Sequence, residues 1–213
     1  DHDADGIALL VCDQVFHVAA YAKNWARNPQ HFFHVNVQGT ANVLQAAITL
    51  SVHKVVYTST AMTIGPSNGV PLDESCARTT PLLTHYESSK LEAERVVMNC
   101  VEQGLEAVIV NPTRVFGPGL LTEGNSLTRM FKLYLEGKWR FIPGDGQALG
   151  NYAFVDDVVL GHVLAMERGM AGGRYILGGE NISYNALFDL IAQISSRCYR
   201  LVHVPNSVAV TAA

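Results

Sequence analysis

Tyr86 and Lys90 stand four positions apart, so on a helix their side chains share one face, one turn apart. A phenol loses its proton near pH ~10, which makes tyrosine a poor acid or base at neutrality. An ammonium group one turn away favours the phenolate and lowers that pKa. Moving the pKa from about 10 to about 7 takes roughly 4 kcal/mol, so a second positive charge such as an oxidised nicotinamide is needed. The pair predicts proton transfer at a hydroxyl coupled to hydride transfer.

A competing interpretation is an ordinary surface pair on an amphipathic helix, because Tyr-x-x-x-Lys also occurs by chance. Three further segments favour catalysis. The first is an apolar strand ending in hydroxyls at 55–60. The second is a strand followed by Asn-Pro-Thr-Arg-Val-Phe-Gly-Pro-Gly at 111–119, and the third is Val-Phe-His-Val-Ala-Ala at 15–20. In this order and spacing they resemble the extended short-chain dehydrogenase/reductase family, also called the NAD-dependent epimerase/dehydratase family. The resemblance runs over nearly the whole chain.

The composition fits a globular enzyme. Of the 213 residues, 48% are hydrophobic and 16% are charged, which suits one or two domains with a full core. A net charge of -4 gives no basic surface for nucleic acid or an anionic membrane. The four scattered cysteines form no Cys-x-x-Cys pair, and no histidine pair has metal-ligand spacing. We therefore predict reduced thiols, no metal and a cytoplasmic location, with no membrane span because no apolar run reaches ~20 residues.

The resemblance implies an α/β fold with a doubly wound, parallel, Rossmann-type sheet and a smaller C-terminal substrate lobe. A strand expected at 14–20 would be the fourth strand of that sheet. The first strand, the glycine-rich turn and the residue that binds the adenosine ribose should then precede Asp1, so we expect an N-terminally truncated sheet that binds dinucleotide poorly on its own. The expected partial cofactor domain is 1–112 with 152–178, and the incomplete substrate lobe is 113–151 with 179–213.

Capping residues and apolar periodicity predict the remaining elements. Asn28 as a cap and Pro29 in the first turn begin a helix whose apolar stripe runs to Ile48. The proline- and glycine-containing segment 65–84 should be irregular. Asp156 and Asp157 are expected to be cap and structural acids. Further strands are predicted at 53–59, 106–111, 152–155 and 174–177, and further helices at 126–136 and 187–194.

The resemblance also assigns roles to individual residues. Tyr86 is the general acid/base, Lys90 holds the nicotinamide ribose and lowers the pKa of Tyr86, and Thr60 positions the reacting substrate oxygen. Ser59 is the alternative to Thr60, because a one-residue shift in the strand's exit would exchange the two. The implied cofactor is NAD or NADP, and its predicted contacts are Val18, Ala19, Ala20, Asn36, Thr58, Ser59, Tyr86, Lys90, Pro112 and Val115.

The substrate class rests on a missing cation. Relatives that act on nucleotide sugars carry an arginine shortly before the strand at Tyr152, whereas residues 148–151 are uncharged and Arg140 lies too far upstream. Losing that charge-assisted phosphate contact forgoes about 1.5–3 kcal/mol of binding. We therefore expect an NAD(P)-dependent dehydrogenase/reductase that interconverts a primary or secondary alcohol and its carbonyl on a fairly apolar small molecule, resembling the dihydroflavonol 4-reductase-like and farnesol dehydrogenase-like branches.

Two other functions stay open. The first is a nucleotide-sugar or hopanoid-associated sugar epimerase, because the Tyr-Ile-Leu-Gly-Gly-Glu pattern at 175–180 also occurs in that branch. The second is a cofactor-deficient, truncated remnant without catalysis, which would apply if Asp1 were the true start. The choice between NAD and NADP also stays open because the discriminating strand would precede Asp1, and a homodimer is the oligomer we consider.

Overall fold

A computed structural model describes residues 12–23, 25–67, 69–122 and 124–205. Its described strands are β1 (Gln14–His17), β2 (Lys54–Thr58), β3 (Ala107–Pro112), β4 (Arg114–Phe116), β5 (Phe141–Pro143), β6 (Leu149–Phe154), β7 (Arg174–Leu177), β8 (Glu180–Ser183) and β9 (Val202–Val204). Its described α-helices are α1 (Gln30–Phe33), α2 (Gly39–Thr49), α3 (His85–Glu102), α4 (Ser126–Leu135), α5 (Val155–Arg168) and α6 (Tyr184–Ser195).

The chain divides into two units by its internal contacts. The first comprises residues 1–113 and 157–177, and the second comprises residues 114–156 and 178–213. The assignment of a cofactor domain and a substrate lobe to parts of the chain is a functional one and stays a prediction. None of the helices among the described residues is long and apolar enough to cross a membrane.

Four parallel strands in the order β1-β2-β3-β7 form the sheet of the first unit. Strand alternation sends Val55 and Tyr57 towards one core, which contains α2 and α3 residues such as Leu44 and Val97. Val56 packs on the opposite side, in a core that contains residues of α5. Because successive strand residues bury against opposite layers, the predicted doubly wound α/β fold is confirmed.

The first strand is shorter and more exposed than the sequence indicates. β1 ends at His17 rather than at residue 20, and only His17 in it is buried. Phe16 is 44% exposed. The physical reason is that β1 pairs with β2 alone among the described strands, so it is an edge strand with a neighbouring strand on one side only.

One long predicted helix is interrupted by a wider turn. Asn28 does cap its start, since the Asn28 Oδ1 accepts a hydrogen bond from Gln30 N at 3.1 Å. A π-helical segment, His34–Gln38, then separates α1 from α2. Asn36, which is 1% exposed, lies inside that segment, and π turns are frequent where a helix carries a special side-chain contact.

The helix that carries Tyr86 and Lys90 has a strong N-terminal cap. Thr84 has extended φ/ψ values and its hydroxyl accepts a hydrogen bond from Glu87 N at 3.1 Å. Glu87 Oε2 in turn accepts from Leu83 N at 2.8 Å. This arrangement is close to a capping box, and it fixes where the first turn of α3, with Tyr86, begins.

The second unit is built around smaller sheets. β4 pairs in parallel with β6, β6 pairs antiparallel with β8, and β5 pairs in parallel with β9. α4 and α6 contribute to its apolar core, whose buried members are Met130, Tyr134, Ile142, Tyr152, Leu187 and Phe188.

Candidate active site

Most of the predicted site residues lie where strands of the parallel sheet end. Residues 18–20 follow β1, Thr58 ends β2 and Pro112 ends β3. The carboxyl ends of parallel strands meet at one edge, where open α/β sheets bind ligands. Val18 and Ala19 are exposed, and Ala20 is half-buried. Val115 lies in β4, in the second unit.

Thr60 and Tyr86 are adjacent across that edge. Thr60 leaves β2 with extended backbone angles, and its Oγ1 accepts from Met62 N at 3.3 Å to cap the short 3-10 turn Ala61–Thr63. Burial raises the pKa of Tyr86, while a hydrogen bond from Thr60 partly offsets that rise. The side chain next to the phenol is therefore that of Thr60, and the net pKa of Tyr86 lies above its ordinary value.

Lys90 is almost completely buried, at 1% exposure. Its Nζ donates to the Thr58 carbonyl oxygen at 2.7 Å and lies 4.3 Å from the ring centroid of Tyr57. Burial lowers the pKa of Lys90 to about 7, opposed in part by Glu94. Here the amine contacts Thr58 and the Tyr57 ring, and the lowering of the Tyr86 pKa by Lys90 stays a prediction.

Asn36 links the segment after β1 to α3. Its Oδ1 accepts from Tyr21 N at 2.7 Å, and its Nδ2 donates to Tyr21 O at 3.3 Å and to Ser89 Oγ at 2.9 Å. The amide therefore makes its observed contacts with protein groups. It positions the chain close to residues 18–20, and a direct contact with a cofactor stays a prediction.

Glu94 gathers four side chains beneath the Thr60 turn. Its Oε1 accepts from Ser59 Oγ, from Thr63 Oγ1 at 2.8 Å and from Asn111 Nδ2 at 2.9 Å. Its Oε2 forms an ion pair with Arg174. The Ser59 hydroxyl is thus engaged inside the protein, which favours Thr60 over Ser59 as the hydroxyl that faces substrate.

Arg78 joins the irregular segment 65–84 to the elements that carry Thr60 and Tyr86. Its guanidinium donates to the carbonyl oxygens of Met62, Thr80 and Pro81, and it pairs with Glu87 at 3.0 Å. Met62 lies two residues after Thr60, and Glu87 directly follows Tyr86. One half-buried cation therefore ties the turn of Thr60 to the first turn of α3.

Four charged residues around this edge were not predicted from the sequence: Arg78, Glu87, Glu94 and Arg174. Helical spacing could have identified Glu94, which lies one turn after Lys90 on the same face. Arg78 and Arg174 carry no local signal, because one lies in an irregular segment and the other in β7.

A cation also lies closer to Tyr152 than the sequence suggests. Arg114 in β4 is the direct partner of Tyr152 in β6, and its guanidinium carbon lies 5.8 Å from the Tyr152 ring centroid. Residues 148–151 themselves carry no cation. Strand pairing nevertheless brings Arg114 next to Tyr152, although the two are 38 positions apart in the sequence. No group of three or more candidate metal ligands is present among the described residues.

Comparison with known proteins identifies the family. Residues 6–178 match the NAD dependent epimerase/dehydratase family. A Synechocystis sp. protein, provisionally named a dihydroflavonol 4-reductase, is 34% identical over 190 residues, covering 86% of this chain and 54% of the relative. Cinnamoyl-CoA reductase 1 of Oryza sativa is 32% identical over 201 residues, covering 89% of this chain and 57% of the relative.

Solved structures agree with this match. The crystal structure of gox2253 is 34% identical with a TM-score of 0.86, and the match covers 100% of this chain and 64% of that one. UDP-glucose 4-epimerase of Thermotoga maritima is 26% identical with a TM-score of 0.86, covering 96% and 69% of the two chains. The chain thus spans little more than half the length of the two curated relatives.

These matches confirm the predicted resemblance to the family, and its similar proteins include one provisionally named a dihydroflavonol 4-reductase. The prediction of NAD or NADP is confirmed at the level of the family, which is described as NAD-dependent. The parallel sheet, the residues gathered at its carboxyl edge and the match over 6–178 lead to one assignment. The chain belongs to the NAD-dependent epimerase/dehydratase family, that is, to the extended short-chain dehydrogenases/reductases.

Proposed function

We propose that the protein containing this chain is an NAD(P)-dependent oxidoreductase that interconverts an alcohol and its carbonyl on a fairly apolar small molecule. The observation that supports the proposal is the position of Thr60 beside Tyr86 at the carboxyl end of β2, where the Thr60 hydroxyl lowers the pKa of the phenol against burial. At the same strand end, Lys90 Nζ donates to the Thr58 carbonyl oxygen. A hydroxyl pair of this kind can hold one substrate oxygen between two hydrogen-bonding groups.

Each residue has a distinct role in this proposal. Tyr86 takes the hydroxyl proton during oxidation and returns it during reduction. Thr60 orients the same oxygen. Bound nicotinamide accepts or supplies the hydride. Lys90 has three N–H donors, and Thr58 O is the only acceptor for them in the described part of the chain, so two donors fit the hydroxyls of a nicotinamide ribose.

The decisive experiment replaces the phenol oxygen. In the enzyme containing this chain, Tyr86→Phe should lower kcat at least ~10²-fold, the usual scale for a lost general acid/base. Tyr175→Phe is a matched control, because the Tyr175 hydroxyl accepts from Met170 N at the far end of β7. Turnover of Tyr86→Phe within a few-fold of the parent would remove Tyr86 from the mechanism.

A sugar epimerase is the second candidate. It is favoured by the likeness to a UDP-glucose 4-epimerase solved with UDP-glucose and by the cation Arg114 beside Tyr152. A panel of dihydroflavonols, prenyl alcohols and steroids, followed by NAD(P)H absorbance, separates the two. Epimerisation of a UDP-sugar without net absorbance change, together with no reaction on the panel, would replace the oxidoreductase by the epimerase.

We also propose a cytoplasmic location, supported by Cys76, Cys100 and Cys198, none of which forms a disulfide, as suits a reducing compartment. A homodimer and a small-molecule substrate without nucleic acid remain parts of the same proposal. Light scattering of the purified protein tests whether it is a homodimer.

A further inference from the structure

Arg114 is a cation that has no carboxylate partner in the described part of the chain. The ion pairs of the described residues involve Arg78, Arg95, Lys138 and Arg174, and no described carboxylate lies within 4.0 Å of the Arg114 guanidinium. The residue is exposed. A guanidinium is always charged at neutral pH and presents five donors in a planar fork that matches carboxylate and phosphate oxygens.

Two tyrosines hold that guanidinium in place. Its Nη1 donates to the Tyr184 hydroxyl at 2.8 Å. Its central carbon lies 5.8 Å from the ring centroids of both Tyr152 and Tyr184. The two rings come from β6 and the start of α6, so the cation is oriented by two separate elements.

A second polar group at the same place lacks a partner. Tyr152 is 5% exposed, and its buried hydroxyl forms no hydrogen bond among the described residues. The phenol lies over Gly150, where a Cβ would come within 2.7 Å of the hydroxyl oxygen. Buried hydroxyls are normally bonded. A hydroxyl with no hydrogen bond among the described residues, next to a guanidinium that faces no described carboxylate, points to a ligand.

We propose that Arg114, Tyr152 and Tyr184 form an oxyanion-binding subsite that receives a carboxylate or phosphate group attached to an apolar or aromatic body. Naming the ligand as a substrate rests on the proposed function, whereas anion binding does not. All three residues belong to the second unit, so the subsite can be tested there by binding alone.

The test uses three probes on the 213-residue chain, with binding followed by NMR of the arginine Nε–Hε groups. The probes are 3-phenylpropanoate, inorganic pyrophosphate and the neutral 3-phenylpropan-1-ol. The Arg114 signal should shift with one of the two anions, and Arg114→Met should raise the Kd for that anion at least about tenfold. Preference for 3-phenylpropanoate identifies a carboxylate ligand, and preference for pyrophosphate identifies a phosphate ligand.

Matched variants separate the subsite from general charge attraction. Arg129→Met removes an exposed arginine of α4 in the same unit and should leave the Kd unchanged. Arg114→Lys keeps the charge without the planar fork and should bind with intermediate affinity. Absence of saturable binding by both anions, or equal affinity in Arg114→Met and the parent, would overturn the proposal. Because the readout is binding, this result is independent of the Tyr86 test of turnover.

Discussion

Arg78 Nη2 and Glu87 Oε2 lie 3.0 Å apart in an ion pair whose side chains are 10% and 6% exposed. The same guanidinium donates to Met62 O, inside the 3-10 turn that Thr60 caps. Glu87 also accepts from Leu83 N at the start of α3. The spacing between the Thr60 hydroxyl and the Tyr86 phenol therefore depends on a side chain that touches neither.

Replacing Arg78 should impair turnover in the enzyme containing this chain. We expect Arg78→Met to lower kcat about 10- to 100-fold, because a displacement of roughly 1 Å between catalytic groups has that scale of effect. Leaving the buried Glu87 unpaired should also destabilise the fold by a few kcal/mol. Steady-state kinetics and urea unfolding measure the two effects.

Arg95, on the helix α3 that carries Glu87, provides the control. It pairs with Glu92 at 2.8 Å, but the two side chains are 68% and 47% exposed, and exposed pairs contribute about 0–1 kcal/mol. Arg95→Met should therefore match the parent in kcat. If Arg78→Met lost stability yet kept its kcat, Arg78 would be a structural residue without a positioning role.

Thr60→Val should move the pH dependence of turnover upward. The Thr60 hydroxyl lowers the pKa of Tyr86 against the larger effect of burial, so its removal raises that pKa further. Oxidation of an alcohol needs the phenolate, hence the acidic limb of the pH–rate profile should shift to higher pH. Thr60→Ser keeps the hydroxyl and should restore the limb, and Thr49→Val, in the exposed last turn of α2, should leave it unchanged. An unshifted limb in Thr60→Val would disconnect Thr60 from Tyr86.

The strands and the site motif were predictable because each depends on local spacing. Continuous runs of apolar, valine-rich residues define β2 and β3, and the four-residue interval places Tyr86 and Lys90 on one helix face. The contacts that set the chemistry were not predictable, because they join distant residues. Burial by the surrounding layers decides the Lys90 pKa, and strand pairing brings Arg114 to Tyr152.

The same limit applies to Asn36 and β1. A polar residue in an apolar stripe indicates a special contact, but the sequence does not say whether the partner is Ser89 or a ligand. An apolar strand looks buried until its sheet neighbours are known, and β1 has one neighbour among the described strands.

Lys90 should make the stability of the 213-residue chain depend on pH. Burial lowers its folded pKa to about 7 from an ordinary 10.5, so between these values the unfolded chain binds more protons and stability rises with pH. Lys90→Met lacks this dependence. The free energy of unfolding of Lys90→Met minus that of the parent should be greatest below pH 7. Between pH 7 and 10.5 this difference should fall by about 1.4 kcal/mol per pH unit.

Urea unfolding at pH 6, 7, 8 and 9 measures that difference. Lys138→Met is the control, because Lys138 pairs with Glu136 on the surface and is 67% exposed. Its curve should run parallel to that of the parent. Parallel curves for Lys90→Met as well would mean that Lys90 is not titrating in this range.

Glu94→Gln should destabilise the chain and weaken the support of Thr60. Glu94 is 5% exposed and Arg174 is 26% exposed, so removing the carboxylate charge leaves a half-buried guanidinium unpaired. A fully buried pair broken in this way costs about 3–5 kcal/mol; with Arg174 partly solvated we expect roughly 2–4 kcal/mol by urea unfolding, or about 4–16 °C in Tm for a chain of this size.

The same substitution should act on Lys90 and on catalysis. Glu94 raises the pKa of Lys90 against burial, so in Glu94→Gln that pKa falls further and the pH-dependent part of the stability begins at lower pH. Asn111 Nδ2 donates to Thr60 O at 3.0 Å as well as to Glu94, hence kcat should drop several-fold in the enzyme. Glu92→Gln breaks only an exposed pair on the same helix and should change stability by less than about 1 kcal/mol. If Glu94→Gln and Glu92→Gln unfolded at the same urea concentration, the buried carboxylate would not support this edge of the sheet, and the Thr60 turn would have to be held by Arg78 alone.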